Sequence, residues 1–400
     1  MLLQGSLTPQ AELFERTRRF QGHLRDLGIE LAMLRQNADL YYFTGTVQDG
    51  HLFIPAHGEP LFLVWRVFER AIKESALRDI RPLSGMSGLN EALKEKGLLD
   101  AAVVGLELDC LPAALYLYYS KNIWPGARFV DVTHAVRLTR AVKSRWEIDR
   151  IREACGQVAE AVACVQETLR EGLTELELSS QIETRLRLQG HPGYLRMRGW
   201  NQECGMGHVL SGADGAMPSW TNTPGGGLGT SPAYGLGAGT RTIRTFEPVC
   251  IDFGGSSNGY LCDQTRLFCI KGLPERLLDA YKAVLEVHQG IKERLVPGAS
   301  CSSIYDWAIN RMEGLGYAQN FMGFGRNQVI FIGHGLGVEV DEYPFLSRKN
   351  PMPLAEGMVV AVEPKLVFPD EGIVGIEDTY LITQNGAERL TTSPQELIIC

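Results

Sequence analysis

The sequence predicts an α+β protein in two parts: a smaller α/β unit over residues 1–139 and a compact α+β body over residues 145–400 with a mixed or antiparallel sheet. Three observations predict it. Helical and strand patterns alternate through the first third; a polar joint, Arg140-Ala-Val-Lys143-Ser144, interrupts them; and beyond the joint a long amphipathic helix is followed by strand patterns that end on acidic or imidazole side chains.

In the first part, Gln10 to Leu27 reads as a helix, Leu31 to Leu34 as a buried apolar run, and Ala38 to Phe43 as a further element closing at Thr44-Gly45. Leu52–Ile54 and Leu61–Trp65 flank Pro55-Ala-His57-Gly58, the pattern of a hairpin. Ala101–Leu106 and Arg128–Val132 read as short strands with a helix near Ala113–Ser120 between them. Past the joint, Ile148, Ile151, Cys155, Val158, Val162, Val165 and Leu169 form one apolar stripe at steps of three and four. The next helix opens on Thr174 and Glu177, a capping-box signature. Residues 205–239, rich in Gly, Pro and Ser, read mostly as loops. Val249–Phe253, Tyr260–Ile270, Val329–Ile332, Met358–Val362 and Thr379–Thr383 read as strands, with helices at Leu277–Leu295 and Ser302–Leu315.

Composition excludes several classes of function. The 400 residues carry 47 Asp and Glu against 39 Lys and Arg, net −8, which opposes binding to nucleic acid or an anionic membrane. No apolar run reaches about 18 residues, and the opening residues lack the apolar core of a secretory signal, so the chain is expected to be cytoplasmic. The nine cysteines form no C-x-x-C pair and read as reduced thiols, leaving any metal chemistry to oxygen and nitrogen ligands. The glycine runs at residues 223–229 and 235–239 lack the strand–loop–helix setting and the Gly-Lys-Ser/Thr signature of a phosphate loop.

Five side chains carry the chemistry: Asp252 in CIDFGG, Asp263 in GYLCDQTR, His334 in FIGHGLG, Glu363 in VAVEPK and Glu377 in VGIEDT. Each follows apolar strand residues, where a lone carboxylate is costly to bury without an opposite charge or a metal. Four converging carboxylates call for cations, and two divalent ions would balance them. Asp252 and Asp263 lie eleven positions apart, which fits adjacent strands joined by the turn-rich segment 254–259.

These motifs, D-x-G-(x)4-G-Y-x-x-D-x-T-R, H-G-x-G-x-x-V-x-E-x-P, E-P and G-x-x-G-I-E-D, resemble those of the family of aminopeptidase P, prolidase, methionine aminopeptidase and creatinase. Arg140-x-x-Lys143-Ser144-x-x-Glu147-Ile148 resembles the joint of its creatinase, prolidase and aminopeptidase P branch. The resemblance implies a pita-bread C-terminal domain, a creatinase-like N-terminal domain, and a homodimer. It implies two divalent ions, Mn, Co or Fe with Zn possible, bridged by Asp263 and Glu377, with Asp252 completing one site and His334 and Glu363 the other. The implied reaction is hydrolysis of a small Xaa-Pro peptide, aminopeptidase or dipeptidase type, by metal-bridged hydroxide attack on the amide carbonyl, with Glu363 as proton shuttle.

Three positions depart from the family: Ser219 and Asp341 stand where it has histidines, and Gly375 where it has an arginine. These replacements leave room for an alternative, a non-peptide enzyme on the same scaffold such as a creatinase-like C–N hydrolase or a lyase. Asp341 follows His334 closely and is expected at the pocket, where strand alternation would hold it. His208 in GMGHVL either supplies an imidazole from a neighbouring strand or is bonded locally. Arg196 and Arg198 either recognise a substrate carboxylate or lie on a solvated or inter-subunit face. Lys365 replaces a usual glycine and either faces the pocket or lies on the surface.

Overall fold

The computed structural model describes residues 7–400, so Met1–Ser6, part of the leader reading, lie outside the described residues. The chain divides into two compact units. Unit 1 takes the chain up to Arg140 and adds Arg198–Asn201; unit 2 comprises Ala141–Met197 and Gln202–Cys400. Among the described residues no helix is long and apolar enough to cross a membrane.

Unit 1 is built on six strands: β1 (Leu31–Leu34), β2 (Gly50–Pro55), β3 (Leu61–Val64), β4 (Ile80–Pro82), β5 (Val103–Leu106) and β6 (Arg128–Asp131), in the order β4-β3-β2-β1-β5-β6. β2 and β3 form the expected hairpin, while β1, β5 and β6 run parallel. The segment after β1 is a helix, Asn37–Thr44. The Gln36 side chain accepts from the amides of Ala38 and Asp39 at its start, and Gly45 closes it in the left-handed region. Leu31, Met33, Phe53, Leu61, Leu63, Val104, Leu106 and Trp124 share one apolar core.

In unit 2 the helix Arg145–Thr168 starts on a capping box, Ser144 with Glu147, and Glu175–Leu188 on a second, Thr174 with Glu177. The first lies against strands β8 (Val249–Ser257) and β9 (Tyr260–Cys269), which form a hairpin with β7 (Gly207–Ser211) beside β8. The hairpin is tighter than expected, because strand pairing continues to Ser257–Tyr260 and leaves Asn258-Gly259 alone at the turn, both with positive φ. A second sheet runs β11 (Glu342–Ser347), β10 (Phe331–Gly335), β12 (Val359–Val362), β15 (Asp378–Thr383), β16 (Gly386–Arg389). The strand expected from Val329 begins two residues later and runs on through His334 to Gly335. Two short strands not expected from the sequence, β13 (Lys365–Phe368) and β14 (Gly372–Gly375), pair antiparallel between Glu363 and Glu377. A further short strand, β17 (Ile398–Ile399), runs parallel to β9. Helices Glu275–Arg294 and Cys301–Gly314 share a large apolar core with this body.

Candidate metal centre

β8 and β9 bring the first two acids together. Their register pairs Asp252 with Thr265 and Gly254 with Asp263, so the two carboxylates are diagonal neighbours on one face. β10 supplies His334, and Glu363 lies just past β12, its amide bonded to the Ile332 carbonyl at 3.0 Å. Glu377 sits between β14 and β15. It exchanges backbone bonds with Thr265 at 3.1 and 3.3 Å, and its Oε2 accepts from the Thr265 hydroxyl at 2.9 Å. The neighbouring residues lock this corner: Arg266 donates to the Glu377 carbonyl at 2.7 Å and to Asp378 Oδ1 at 2.5 Å, all fully buried. The Thr-Arg and Glu-Asp of the sequence motifs are therefore one structural clasp across two strands.

The centre has two sides. Glu363 Oε1 and Glu377 Oε1 face His334 Nε2 at 3.6 and 3.8 Å, separations too long for hydrogen bonds. Glu363 Oε2 and Glu377 Oε2 face Lys365 Nζ at 2.8 and 3.4 Å, and Asp252 Oδ2 completes that side at 3.0 Å. Lys365, only 4% exposed, thus faces the pocket.

Charge sets the titration of the group. Burial opposes ionisation of Asp252, but the ammonium of Lys365, helped by His208, outweighs it and holds the carboxyl below the usual range. Burial and the repulsion of Glu377 and Asp252 push Asp263 well above it. Burial raises Glu377 to about 8, with Lys365 opposing and Glu363 adding to the rise. For His334, burial is outweighed by Asp341, Glu363 and Glu377, which raise it.

A divalent ion fits one side. Asp263, His334 and Glu377 each offer a ligand atom within 4.8 Å of the others, and Glu377 Oε1 is a buried oxygen with no hydrogen-bond partner among the described residues. The other side does not fit a second ion as it stands, because the carboxylate oxygens there are already bonded to an ammonium that would repel one.

The remaining expected residues fall variously. Asp341 is beside the centre, its Oδ1 3.6 Å from His334 Nδ1, but strand alternation is not the reason. It lies in the turn between β10 and β11 with φ 64°, and its side chain is 38% exposed. His208 on β7 is the ladder partner of Asp252; its Nδ1 is buried without a partner among the described residues, and burial lowers its pKa. Ser219 bonds locally to Thr221 at 2.7 Å. Arg198 neither lies on a solvated face nor waits for a substrate. It is buried in unit 1, bonded to Asp39 at 2.5 Å and Asp109 at 2.5 and 2.9 Å, because the segment around it is irregular rather than an alternating strand. Cys204 was not anticipated. Burial and the nearby Asp263, Asp252 and Asp341 push its thiol up to about 12, so it stays protonated at neutral pH.

This fold and site define a metallopeptidase, and the chain belongs to metallopeptidase family M24, whose model matches residues 149–384. The creatinase/prolidase N-terminal domain matches residues 16–142, and the fold is the pita-bread body with its creatinase-like N-terminal unit. Among its relatives, the Xaa-Pro dipeptidase of Pyrococcus furiosus is 26% identical over 388 residues, covering 96% of this chain and 99% of that protein. Among solved structures, the Xaa-Pro dipeptidase from Bacillus anthracis superposes with TM-score 0.83 at 26% identity, covering 97% and 100% of the two chains. The prolidase from Pyrococcus horikoshii OT3 does so with TM-score 0.80 at 26% identity, covering 96% and 100%.

Proposed function

We propose that the chain hydrolyses small peptides at an Xaa-Pro bond, in the manner of a dipeptidase, with a divalent metal held by Asp263, His334 and Glu377. The observation that carries this reading is the orphaned Glu377 Oε1 facing His334 within that donor group. Oxygen and imidazole donors suit Mn, Fe or Co, with Zn also accommodated. The ion would supply Lewis acidity toward the amide carbonyl and water.

The protein's own part falls to Glu363 and its neighbours. Glu363 Oε1 lies on the His334 side, where it accepts the proton of the attacking water and returns it to the proline nitrogen as the C–N bond breaks. Its Oε2, held by Lys365 at 2.8 Å, fixes the orientation of that carboxylate. The relatives favour this peptide reading over a creatinase-like C–N hydrolase or a lyase. The test is an assay of protein loaded with Mn or Co against Xaa-Pro dipeptides, longer Xaa-Pro peptides and small methylated amines. Chelator-sensitive hydrolysis of the dipeptides is expected; folded, loaded protein that cleaves none of the Xaa-Pro substrates would overturn the proposal.

A further inference from the structure

Lys365 is held in place by the sheet rather than left to wander. It opens β13 directly across from Gly375 on β14, and a Cβ on Gly375 would come within 2.4 Å of Lys365 Cγ. Such a contact is far inside van der Waals separation, so the lysine stem occupies the volume that any side chain at 375 would need. The two departures from the family pattern, lysine for glycine at 365 and glycine for arginine at 375, are therefore one exchange of volume across a strand pair. The Lys365 carbonyl is bonded to the Met322 amide at 2.9 Å, which anchors the backbone from which the stem rises. At the end of that stem, Nζ meets Asp252 Oδ2 at 3.0 Å, Glu363 Oε2 at 2.8 Å and Glu377 Oε2 at 3.4 Å.

We infer that Lys365 serves as a built-in cation in one of the two cation positions of the centre, so that the chain binds a single divalent ion on the Asp263, His334 and Glu377 side. Glu377 then lies between the ammonium and the ion, while Glu363 keeps its Oε2 on the ammonium. Asp252 becomes a partner of the lysine and not a metal ligand. The inference rests on the metal-dependent reading of the site, yet the two can fail separately, since ion counting does not require turnover.

The experiment counts Mn(II) bound per chain after chelation and reloading, by elemental analysis and by titration calorimetry, in the wild type, Lys365→Gly, Asp252→Ala and Asp263→Ala. One ion is expected in the wild type and two in Lys365→Gly, where spin-coupled Mn(II) signals should appear. Asp252→Ala should keep its one ion and Asp263→Ala should lose it. Melting curves establish that each variant is folded; should Lys365→Gly not fold, the two aspartate variants decide. Two ions in the wild type, a folded Lys365→Gly protein that still binds one, or loss of the ion in folded Asp252→Ala would overturn the assignment. One ion without peptide hydrolysis would defeat the proposed function and leave Lys365 in its place, whereas two ions with hydrolysis would do the reverse.

Discussion

In unit 1, Asp39 divides its carboxylate between Arg140 at 2.6 Å and Arg198 at 2.5 Å, and Arg198 turns its remaining donors to Asp109. Glu107 lies 3.8 Å from the same guanidinium, accepts from the amides of Arg35 and Gln36, and is pushed well above the usual carboxylate range by burial and by Asp39. In unit 2, Asp252, Asp263, Glu363 and Glu377 surround one ammonium and one imidazole, with Glu377 Oε1 buried and without a hydrogen-bond partner among the described residues. In unit 1 the buried Asp39 and Glu107 are matched in number by the buried Arg140 and Arg198, whereas in unit 2 four acids stand against Lys365 and His334. The first closes its balance with rigid guanidinium forks, although Glu107 Oε1 is there also a buried oxygen without a hydrogen-bond partner among the described residues. The second sets four acids against one ammonium and one imidazole, with Asp263 and Glu377 both forced upward, a charge that a cation would balance. Whether a buried acidic cluster is structural or functional is thus decided by the geometry of its bases.

The contrast predicts opposite responses to deletion. Asp263→Ala should lower kcat/KM on an Xaa-Pro dipeptide by on the order of a thousandfold, about 4 kcal/mol, through loss of the ion. Asp39→Ala should instead lower stability by about 3–5 kcal/mol in urea titration, since it strands two buried guanidiniums, while metal uptake per folded chain stays unchanged. Metal loss in the folded Asp39→Ala protein would erase the distinction.

How far the sequence reveals this differs between the two regions. The metal-side ligands are legible because each ends an apolar strand run, and Asp252 and Asp263 are placed by a hairpin whose Asn258-Gly259 turn is local. The unit 1 cluster is not, because Arg198 meets partners 89 and 159 residues away and no periodicity links them. Lys365 is intermediate. Its setting depends on the β13–β14 pair, whose four-residue strands are too short to announce themselves by alternation, and its meaning emerges only with Gly375 opposite.

A pH series sharpens the comparison. Glu377 at about 8 and Asp263, also raised, bind more protons folded than unfolded, so the metal-free protein should lose stability as pH rises toward 8. Buried His51 at about 3, and His191 and His288 at about 4, have the reverse sign, their contribution being lost as pH falls below their unfolded value near 6.5. Above about 7.5 these three are neutral in both states, so the remaining slope belongs to Glu377, Asp263 and His334, whose raised values all have the same sign. Melting temperatures of chelated and Mn-loaded protein should therefore diverge as pH rises through that range, and Glu377→Gln should flatten the chelated curve. Parallel curves would contradict the assignment of Glu377. A smaller effect is expected at Asp341, which supports His334 from outside the donor group: Asp341→Asn should weaken Mn binding about tenfold in calorimetry. An unchanged affinity would make it a bystander.

The central claim concerns the two sides of one centre, and anomalous diffraction from crystals of the Mn-loaded wild-type protein tests it most directly. The account predicts one anomalous peak per chain, among Asp263, His334 and Glu377, with Lys365 Nζ still between Asp252, Glu363 and Glu377. Two peaks bridged by Asp263 and Glu377, with Lys365 turned away, would contradict it.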